Sequence, residues 1–216
     1  MGGYIMSSTI NADTTSGVIV TSDTSGEIKL QSAGADIATV SSTGLAMASG
    51  KTLTGDTISY GKVVQVVQTV KTDTFSTLSV AFVDITGLAV SITPSSASSK
   101  ILVMANPHIG NQGYSAYSAL CRDSAPILIG DTAGNRPRAT TQAGAYAGTS
   151  TQYHNFSSPS MYLDSPNTTN AVVYKVQLST YSASYYSYCN RTHGDRDTIG
   201  YDARTASTIT VMEIAA

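Results

Sequence analysis

Carboxylate side chains are the first candidates for chemistry, and their distribution argues against hydrolysis of sugars. The 216 residues contain only two glutamates, Glu27 and Glu213, whereas a glycoside hydrolase usually needs a pair of placed carboxylates. Aspartates are more numerous than glutamates, and most of those after residue 100 stand beside Gly, Ser, Asn or Pro, where Asp commonly stabilises turns. These are Asp123, Asp131, Asp164, Asp195, Asp197 and Asp202. We expect turns and local salt bridges from them, with glycan or ion binding and catalysis as alternatives.

The other reactive side chains form no recognisable catalytic or metal-binding pattern. His108, His154 and His193 lack metal-ligand spacing, so we expect surface or turn histidines. The sequence contains neither the G-x-S-x-G of a nucleophile elbow nor a phosphate-binding G-x-x-x-x-G-K-[ST]. Cys121 and Cys189 are expected to be small buried thiols, with a disulfide as the alternative if their strands lie side by side. We therefore expect no catalytic residue, no metal and no cofactor, and no enzymatic activity.

Tyrosine is the unusual component of this sequence. Eleven of the 13 tyrosines lie between Tyr114 and Tyr201, most densely in "YSASYYSYCNRTHGDRD" (181–197). Tyrosine joins a rigid apolar ring to a hydrogen-bonding hydroxyl, which suits recognition surfaces. Alternatively, Tyr181 and Tyr185 line the core or a subunit interface, as alternating strand residues do. The predicted ligand-binding residues are Tyr114, Tyr117, Tyr146, Tyr153, Tyr185, Tyr186, Arg191 and Asp195.

A second feature near these tyrosines is the segment "GDTAGNRPRA" (130–139), which is glycine-rich and carries two arginines. Such a segment can cradle an anion, or it can be a loop between strands. Sequence alone leaves both interpretations open.

The elements that would position these side chains are β-strands. In residues 62–216, runs such as "KVVQVVQTVK" (62–71) alternate or are continuously apolar, and turn residues separate them. "SVAFVDITGLAVSITP" (79–94) predicts two strands joined by a turn at Gly87. The final run, "ASTITVMEIAA" (206–216), is apolar on both faces and should be central in a sheet or lie against a neighbouring subunit. Eight to ten such strands predict a β-sandwich, or jelly-roll-like, head domain.

Residues 1–61 have a different character, since glycines punctuate short segments with one to three apolar residues each. Each segment is expected to be a short strand, because glycine supplies the positive φ that tight turns need. One such segment buries about two aliphatic side chains, too few to offset about 1–2 kcal/mol of backbone entropy per ordered residue. Three copies around one axis would supply the missing contacts, so we predict a trimeric β shaft, with a flexible linker as the alternative. Its predicted core residues are Ile28, Leu30, Ile37, Val40, Leu45, Met47, Leu53 and Ile58.

Charge and hydropathy limit the classes of partner. The net charge is −2 with only 12% charged residues, and no block of Lys and Arg occurs, so nucleic acid is not an expected partner. No apolar run approaches about 18 residues, so we expect no membrane insertion. The start, "MGGYIMSSTINADTT", has no basic segment followed by an apolar one, unlike a secretory signal.

Five separated blocks, in order along the chain, carry a family resemblance. They are "VVQTVKTDTFST", "FVDITGLAVSITPSSASSKILVM", "CRDSAPILIGD", "YLDSPNTT" and "ASTITVMEIAA". Together they resemble a C-terminal domain of bacteriophage tail fibre and appendage proteins, over about residues 63–216. The resemblance implies a homotrimeric virion protein whose far end meets the host surface. Exposed loops vary in that family, and here they would be about 109–118, 131–155 and 181–205.

These observations together predict a phage tail fibre protein, made in the cytoplasm of a bacterial host and built into the virion. Residues 1–61 would form the virion-docking segment and shaft, with residues 1–20 contacting other virion proteins of the baseplate, tail or capsid. Residues 62–216 would form the head, which would bind a host surface polysaccharide. A capsid-anchored head fibre or decoration protein is the alternative, and a polysaccharide depolymerase is disfavoured by the scarcity of Glu.

Overall fold

The described part of the chain consists of β-strands and their connections, which confirms the all-β prediction. The computed structural model describes residues 27–42, 44–51, 62–144 and 154–215. The chain divides into two compact units, Met1–Ile58 and Ser59–Ala216. The predicted shaft residues Leu53 and Ile58 lie outside the described residues.

The first unit contains a three-stranded antiparallel sheet with strands in chain order. Its strands are β1 (Ile28–Ser32), β2 (Ala35–Ser41) and β3 (Gly44–Met47). The β1–β2 turn is formed by Ala33 and Gly34, whose φ values are 49° and 78°. Two consecutive residues with positive φ give the type of tight turn whose twist matches that of the strands it joins.

One face of this sheet is apolar. Val40 lies opposite Ile28 on one side and opposite Leu45 on the other. Since side chains alternate along each strand, five of the six described residues of the predicted shaft core share this face: Ile28, Leu30, Val40, Leu45 and Met47. The sixth, Ile37, lies on the opposite face. Leu30 and Leu45 are about half exposed, at 49% and 51%, whereas Ala38 on the same face is buried, so the face is partly open in a single chain.

The second unit contains three further sheets. Its strands are β4 (Val63–Lys71), β5 (Phe75–Thr77), β6 (Val83–Ile92), β7 (Lys100–Asn106), β8 (His108–Asn111), β9 (Ser115–Arg122), β10 (Ala125–Leu128), β11 (Thr141–Gly144), β12 (Asn155–Ser157), β13 (Ser160–Asp164), β14 (Val172–Thr180), β15 (Ser187–Cys189) and β16 (Ser207–Ile214). The sheet orders are β13-β7-β16-β4, β12-β8-β15-β5 and β10-β9-β14-β6, with β11 also pairing β9.

Two of these sheets have matching strand orders, because β13, β7, β16 and β4 of one sheet correspond to β12, β8, β15 and β5 of the other. Together they form one bent layer. Short breaks in the chain separate β4 from β5, β7 from β8, and β12 from β13. The other layer is the sheet of β10, β9, β14 and β6. Counting β4/β5, β7/β8, β12/β13 and β15/β16 as one strand each, and leaving the short β11 aside, eight strands form two four-stranded layers in the order of a jelly roll. This agrees with the predicted β-sandwich.

The hydrophobic core lies between these two layers. It takes Ile101, Val103 and Ile209 from one layer, and Leu120 and Leu178 from the other. An ion pair also bridges the layers, because Arg122 Nη1 on β9 lies 2.9 Å from Asp164 Oδ2 on β13. The buried Tyr174 hydroxyl donates to the same carboxylate oxygen at 2.7 Å.

Two expectations for individual strands have different outcomes. The predicted turn at Gly87 is wrong, because Val83–Ile92 is a single strand. Gly87 has a φ of 81°, and the β6–β14 register shifts there, so it is the positive-φ residue of a β-bulge. The prediction that the last strand is central is confirmed, since β16 lies between β7 and β4.

Candidate ligand-binding surface

The ends of β9 and β14 bring three tyrosines together. The two strands pair up to Thr180 opposite Ala116, and the Tyr181 amide then donates to the Ser115 carbonyl at 3.0 Å. Tyr181, directly after β14, therefore lies next to Tyr114, directly before β9. Their ring centroids are 4.7 Å apart with planes at 32°. Tyr114 is 40% exposed and Tyr181 is 55% exposed, so both tyrosines are open to solvent.

Tyr185 supports this pair from beneath. Its ring meets Tyr114 edge-on at 5.0 Å and 76°, a geometry that aromatic quadrupoles favour. A Cβ on Gly113 would lie 3.0 Å from Cδ1 of Tyr185, so glycine at this position allows the ring to lie against the backbone. Since Tyr185 is also held by the Thr180 hydroxyl, which donates to its carbonyl at 2.6 Å, the three rings form a supported aromatic cluster.

A groove begins at this cluster. Tyr181 and Tyr117 line a cavity of about 300 Å³ together with Asn135, Pro137 and Arg138. A second cavity of about 300 Å³ shares Tyr117, Pro137 and Arg138 with the first. The second cavity adds Asp131, Arg136 and Gln142. The two cavities adjoin at these shared residues, and we call the pair of cavities, with its aromatic and polar lining, the groove.

The base of the 129–140 loop, which forms one wall of this groove, is closed by hydrogen bonds. Gly130 and Ala139 join through a backbone bond of 3.2 Å, and Arg138 Nε donates to the Gly130 carbonyl at 2.7 Å. The Thr140 hydroxyl donates to the Leu128 carbonyl and accepts from the Leu120 amide. The exposed tip of the loop therefore projects from a fixed base.

A second aromatic group lies in the segment after Tyr185. Tyr188 stacks on Tyr186 at 5.7 Å and on the His193 ring at 5.7 Å. The Arg191 guanidinium carbon lies 4.1 Å from the Tyr188 ring centroid, a cation–π arrangement. Burial raises the pKa of Tyr188, and burial, followed by the nearby Arg191 charge, lowers the pKa of His193.

The loop between β15 and β16 is held by its own ion pairs. Arg191 Nη1 lies 2.8 Å from Asp195 Oδ2, and Arg204 Nη2 lies 2.7 Å from Asp195 Oδ1. Arg196 Nε donates to Asp202 Oδ2 at 2.7 Å, and the Thr192 hydroxyl donates to Asp202 Oδ1. The Arg196 hydrogen bond is the main cause that lowers the Asp202 pKa to about 2, with Thr192 second. Both carboxylates thus keep the loop in one conformation.

The predicted ligand-binding residues fall into two groups. Tyr114, Tyr117 and Tyr185 belong to the cluster and groove at the ends of β9 and β14. Tyr186, Arg191 and Asp195 belong to the second aromatic group and its loop, where the Arg191 and Asp195 side chains bind each other. The structure brings together residues within each group, and Tyr146 and Tyr153 lie outside the described residues.

Sequence analysis left most of the groove residues off the predicted set, among them Tyr181, Asn135 and Arg138. Tyr181 was given a core or interface role as the alternative to ligand contact, and it is 55% exposed in the single chain. The two arginines of "GDTAGNRPRA" are the sequence feature that indicates a binding role for this loop. No sequence pattern indicates that the loop lies beside Tyr117.

The remaining candidate residues have structural roles. Asp123 lies in the β9–β10 turn with a φ of 53° and accepts the Val173 amide at 3.0 Å. Cys121 and Cys189 are both free and buried, as expected. Burial raises the pKa of the Cys121 thiol to about 11. His108 lies within strand β8 and not in a turn.

Comparisons with known proteins give no match: no protein-family model matches the chain, and no curated protein matches it either. Among the described residues, no group of three or more His, Cys, Asp or Glu side chains could hold a metal ion. The same residues include no helix long and apolar enough to cross a membrane.

Proposed function

We propose that this protein is a homotrimeric fibre protein of a phage virion, with a tail fibre as the preferred assignment. Residues 1–61 dock onto other virion proteins and form the shaft, and residues 62–216 form the head. The protein carries out no catalysis. It is made in the bacterial host cytoplasm and acts as part of the virion.

One observation carries the trimeric part of this proposal: the apolar face of the β1–β3 sheet. Leu30, Val40 and Leu45 are branched aliphatic residues on three paired strands, and they are 49%, 39% and 51% exposed. A three-stranded sheet needs a covered hydrophobic face for independent stability. Equivalent faces of three copies, meeting around one axis, supply that cover without any other protein.

The groove at the ends of β9 and β14 supports the assignment of the head as a binding domain. Tyr114 and Tyr181 offer adjacent ring faces on which the apolar face of a sugar ring can pack. Asn135, Arg136 and Arg138 supply hydrogen-bond donors beside them. Arginine forks bind carboxylates and phosphates in a bidentate manner, so a host surface polysaccharide with acidic groups fits this groove.

The mass of the purified chain in solution tests the proposal directly. Size-exclusion chromatography with multi-angle light scattering at about micromolar concentration should give a single species of three 22.4 kDa chains. A monomer of 22.4 kDa would contradict the fibre. Antibody labelling of intact virions by electron microscopy should then place the protein on the tail, whereas label on the capsid would favour the head-fibre alternative.

A further inference from the structure

The outer face of the β13-β7-β16-β4 sheet is largely apolar, and its polar outward members are Gln68, Asn106, Thr208 and Thr210, together with Lys100. The strand register defines its outward positions. Met161 lies opposite Met104 on β7, and Met212 of β16 lies opposite Leu102 on one side and Val66 on the other. The edge strands contribute the most exposed groups: Met161 is 65% exposed and Val66 is 54% exposed.

Inward positions on the same strands carry the charged groups. Glu213 is fully buried, while its neighbour Met212 faces outward. Asp164 is 5% exposed, while its neighbour Leu163 is 55% exposed. An antiparallel sheet with one solvated face normally has apolar side chains inside and polar ones outside. Apolar groups on both faces indicate a sheet that is covered on both sides.

The outer face of the opposite layer carries a charged network. There, Lys175 Nζ lies 2.8 Å from Asp84 Oδ2, and Gln177 Nε2 donates to Asp84 Oδ1 at 2.8 Å. Among the described outward positions of β4, β7, β13 and β16, the charged residue is Lys100, at the end of β7. The two outer faces of one sandwich are therefore built for different environments.

The size of the face suits a protein interface. With strands about 4.8 Å apart and about 3.4 Å per residue, four strands and the eight residues of β16 span roughly 500 Å² of flat area. The accessible area of projecting side chains is larger, and a standard interface buries about 800 Å² on each partner. The face also contains a cavity of about 390 Å³ that a side chain of a partner can occupy. Its lining combines apolar Met104, Pro159 and Met161 with polar Asn106, Thr208 and Thr210.

We infer that this face is an interface between copies of this chain, in which the heads pack against one another around a threefold axis. The inference rests on the proposed trimeric fibre, because a shaft that joins three copies holds three heads at an effective concentration of about millimolar. Identical apolar faces need no complementary charge to associate, and a cyclic arrangement brings the same patch of every copy to the axis. Among possible occupants, the copies are the ones that the fibre always supplies.

Cysteine labelling of the full chain tests this inference. Met161→Cys and Val66→Cys place thiols on the two edge strands of the face, and Val80→Cys is the matched control, since Val80 is 63% exposed away from it. The native cysteines are buried and contribute little background. In the assembled protein, maleimide should react at least about tenfold more slowly at positions 161 and 66 than at position 80. Only this chain is present, so such protection identifies a second copy as the cover.

The outcomes separate the inference from the proposal on which it rests. A trimer in which positions 161 and 66 react as fast as position 80 would overturn the head interface and leave the fibre proposal standing. A monomeric mass would overturn both. In the unaltered chain, slow oxidation of Met161 by hydrogen peroxide, measured against free methionine, is the expected result, and oxidation at the rate of free methionine would contradict the interface without any variant.

Discussion

Tyr114 and Tyr181 lie with ring centroids 4.7 Å apart, because β9 and β14 are paired to their ends and each tyrosine stands one residue beyond its strand. The strands hold the backbones, and Tyr185 holds the Tyr114 ring. Two aromatic faces beside a groove with arginine and asparagine are thus fixed before any ligand binds. A preformed site of this kind loses little conformational entropy on binding.

Removing the Tyr181 ring should weaken polysaccharide binding. The Tyr181→Ala change deletes one exposed aromatic face worth about 1.5 kcal/mol, and affinity for host surface polysaccharide should fall roughly tenfold. Tyr181→Phe should keep most of the affinity, because the ring face remains. Calorimetric titration with purified host capsule or lipopolysaccharide checks this. Tyr201→Ala is the matched control, since Tyr201 is 60% exposed outside the groove; equal losses in both variants would contradict the site.

The arginines of the groove should add salt-dependent affinity for acidic sugars. Arg136→Gln removes a charge at the exposed tip of the 129–140 loop, so binding to an acidic polysaccharide should weaken and become less sensitive to salt. Binding to a neutral polysaccharide should stay unchanged. Titrations at about 50 mM and about 500 mM NaCl measure this difference. An equal loss for both sugars would indicate that the loop, and not its charge, was altered.

Polar substitutions on the apolar face of the first unit should loosen the trimer. Ile28→Ser together with Leu30→Ser removes two aliphatic groups from each copy, each worth about 1.5–3 kcal/mol when buried, so the assembly should dissociate at concentrations roughly a hundredfold or more above those for the unaltered chain. The head should remain folded by circular dichroism. Lys29→Ser, on the opposite face of β1, is the control. Mass photometry over a dilution series measures the effect, and an unchanged trimer would mean that the head alone sets the assembly.

Breaking the ion pair between the two layers should destabilise the head. Asp164→Asn leaves the Arg122 guanidinium, whose side chain is 32% exposed, facing a neutral amide, which should lower the free energy of unfolding by about 2 kcal/mol. Tyr174→Phe removes one hydrogen bond from the same carboxylate and should cost about 1 kcal/mol. Urea denaturation followed by tyrosine fluorescence measures both. Equal losses would argue that the arginine pair adds nothing beyond the tyrosine bond.

Glu213 should make stability depend on pH in the acid range. Burial opposes its charge, but hydrogen bonds led by the Ser95 hydroxyl, with Gln65 next, outweigh burial and lower its pKa from 4.5 to about 2. A lowered pKa in the folded state contributes stability that is full above about pH 4.5 and is lost as pH falls toward 2. Glu213→Gln should therefore cost about 2 kcal/mol near neutral pH. This difference should disappear near pH 2, as urea titrations at several pH values would show.

Much of this fold follows from local sequence pattern. Alternation in Ile28/Leu30 and Leu45/Met47 identifies strands and their apolar face, because side chains on a strand alternate with a period of two. The two apolar faces of "STITVMEI" likewise indicate a central strand, and β16 has that position. The richness in tyrosine directs attention to the region where the aromatic clusters lie.

The tertiary structure decided everything that depends on which strands pair. Gly87 is a bulge and not a turn because β14 holds both halves of β6 in one ladder. The groove exists because the β10–β11 connection lies beside Tyr117, and the Asp164–Arg122 pair exists because β13 and β9 belong to facing layers. A local pattern states how a strand alternates but not which distant strand it meets, since pairing is settled by the packing of the whole core.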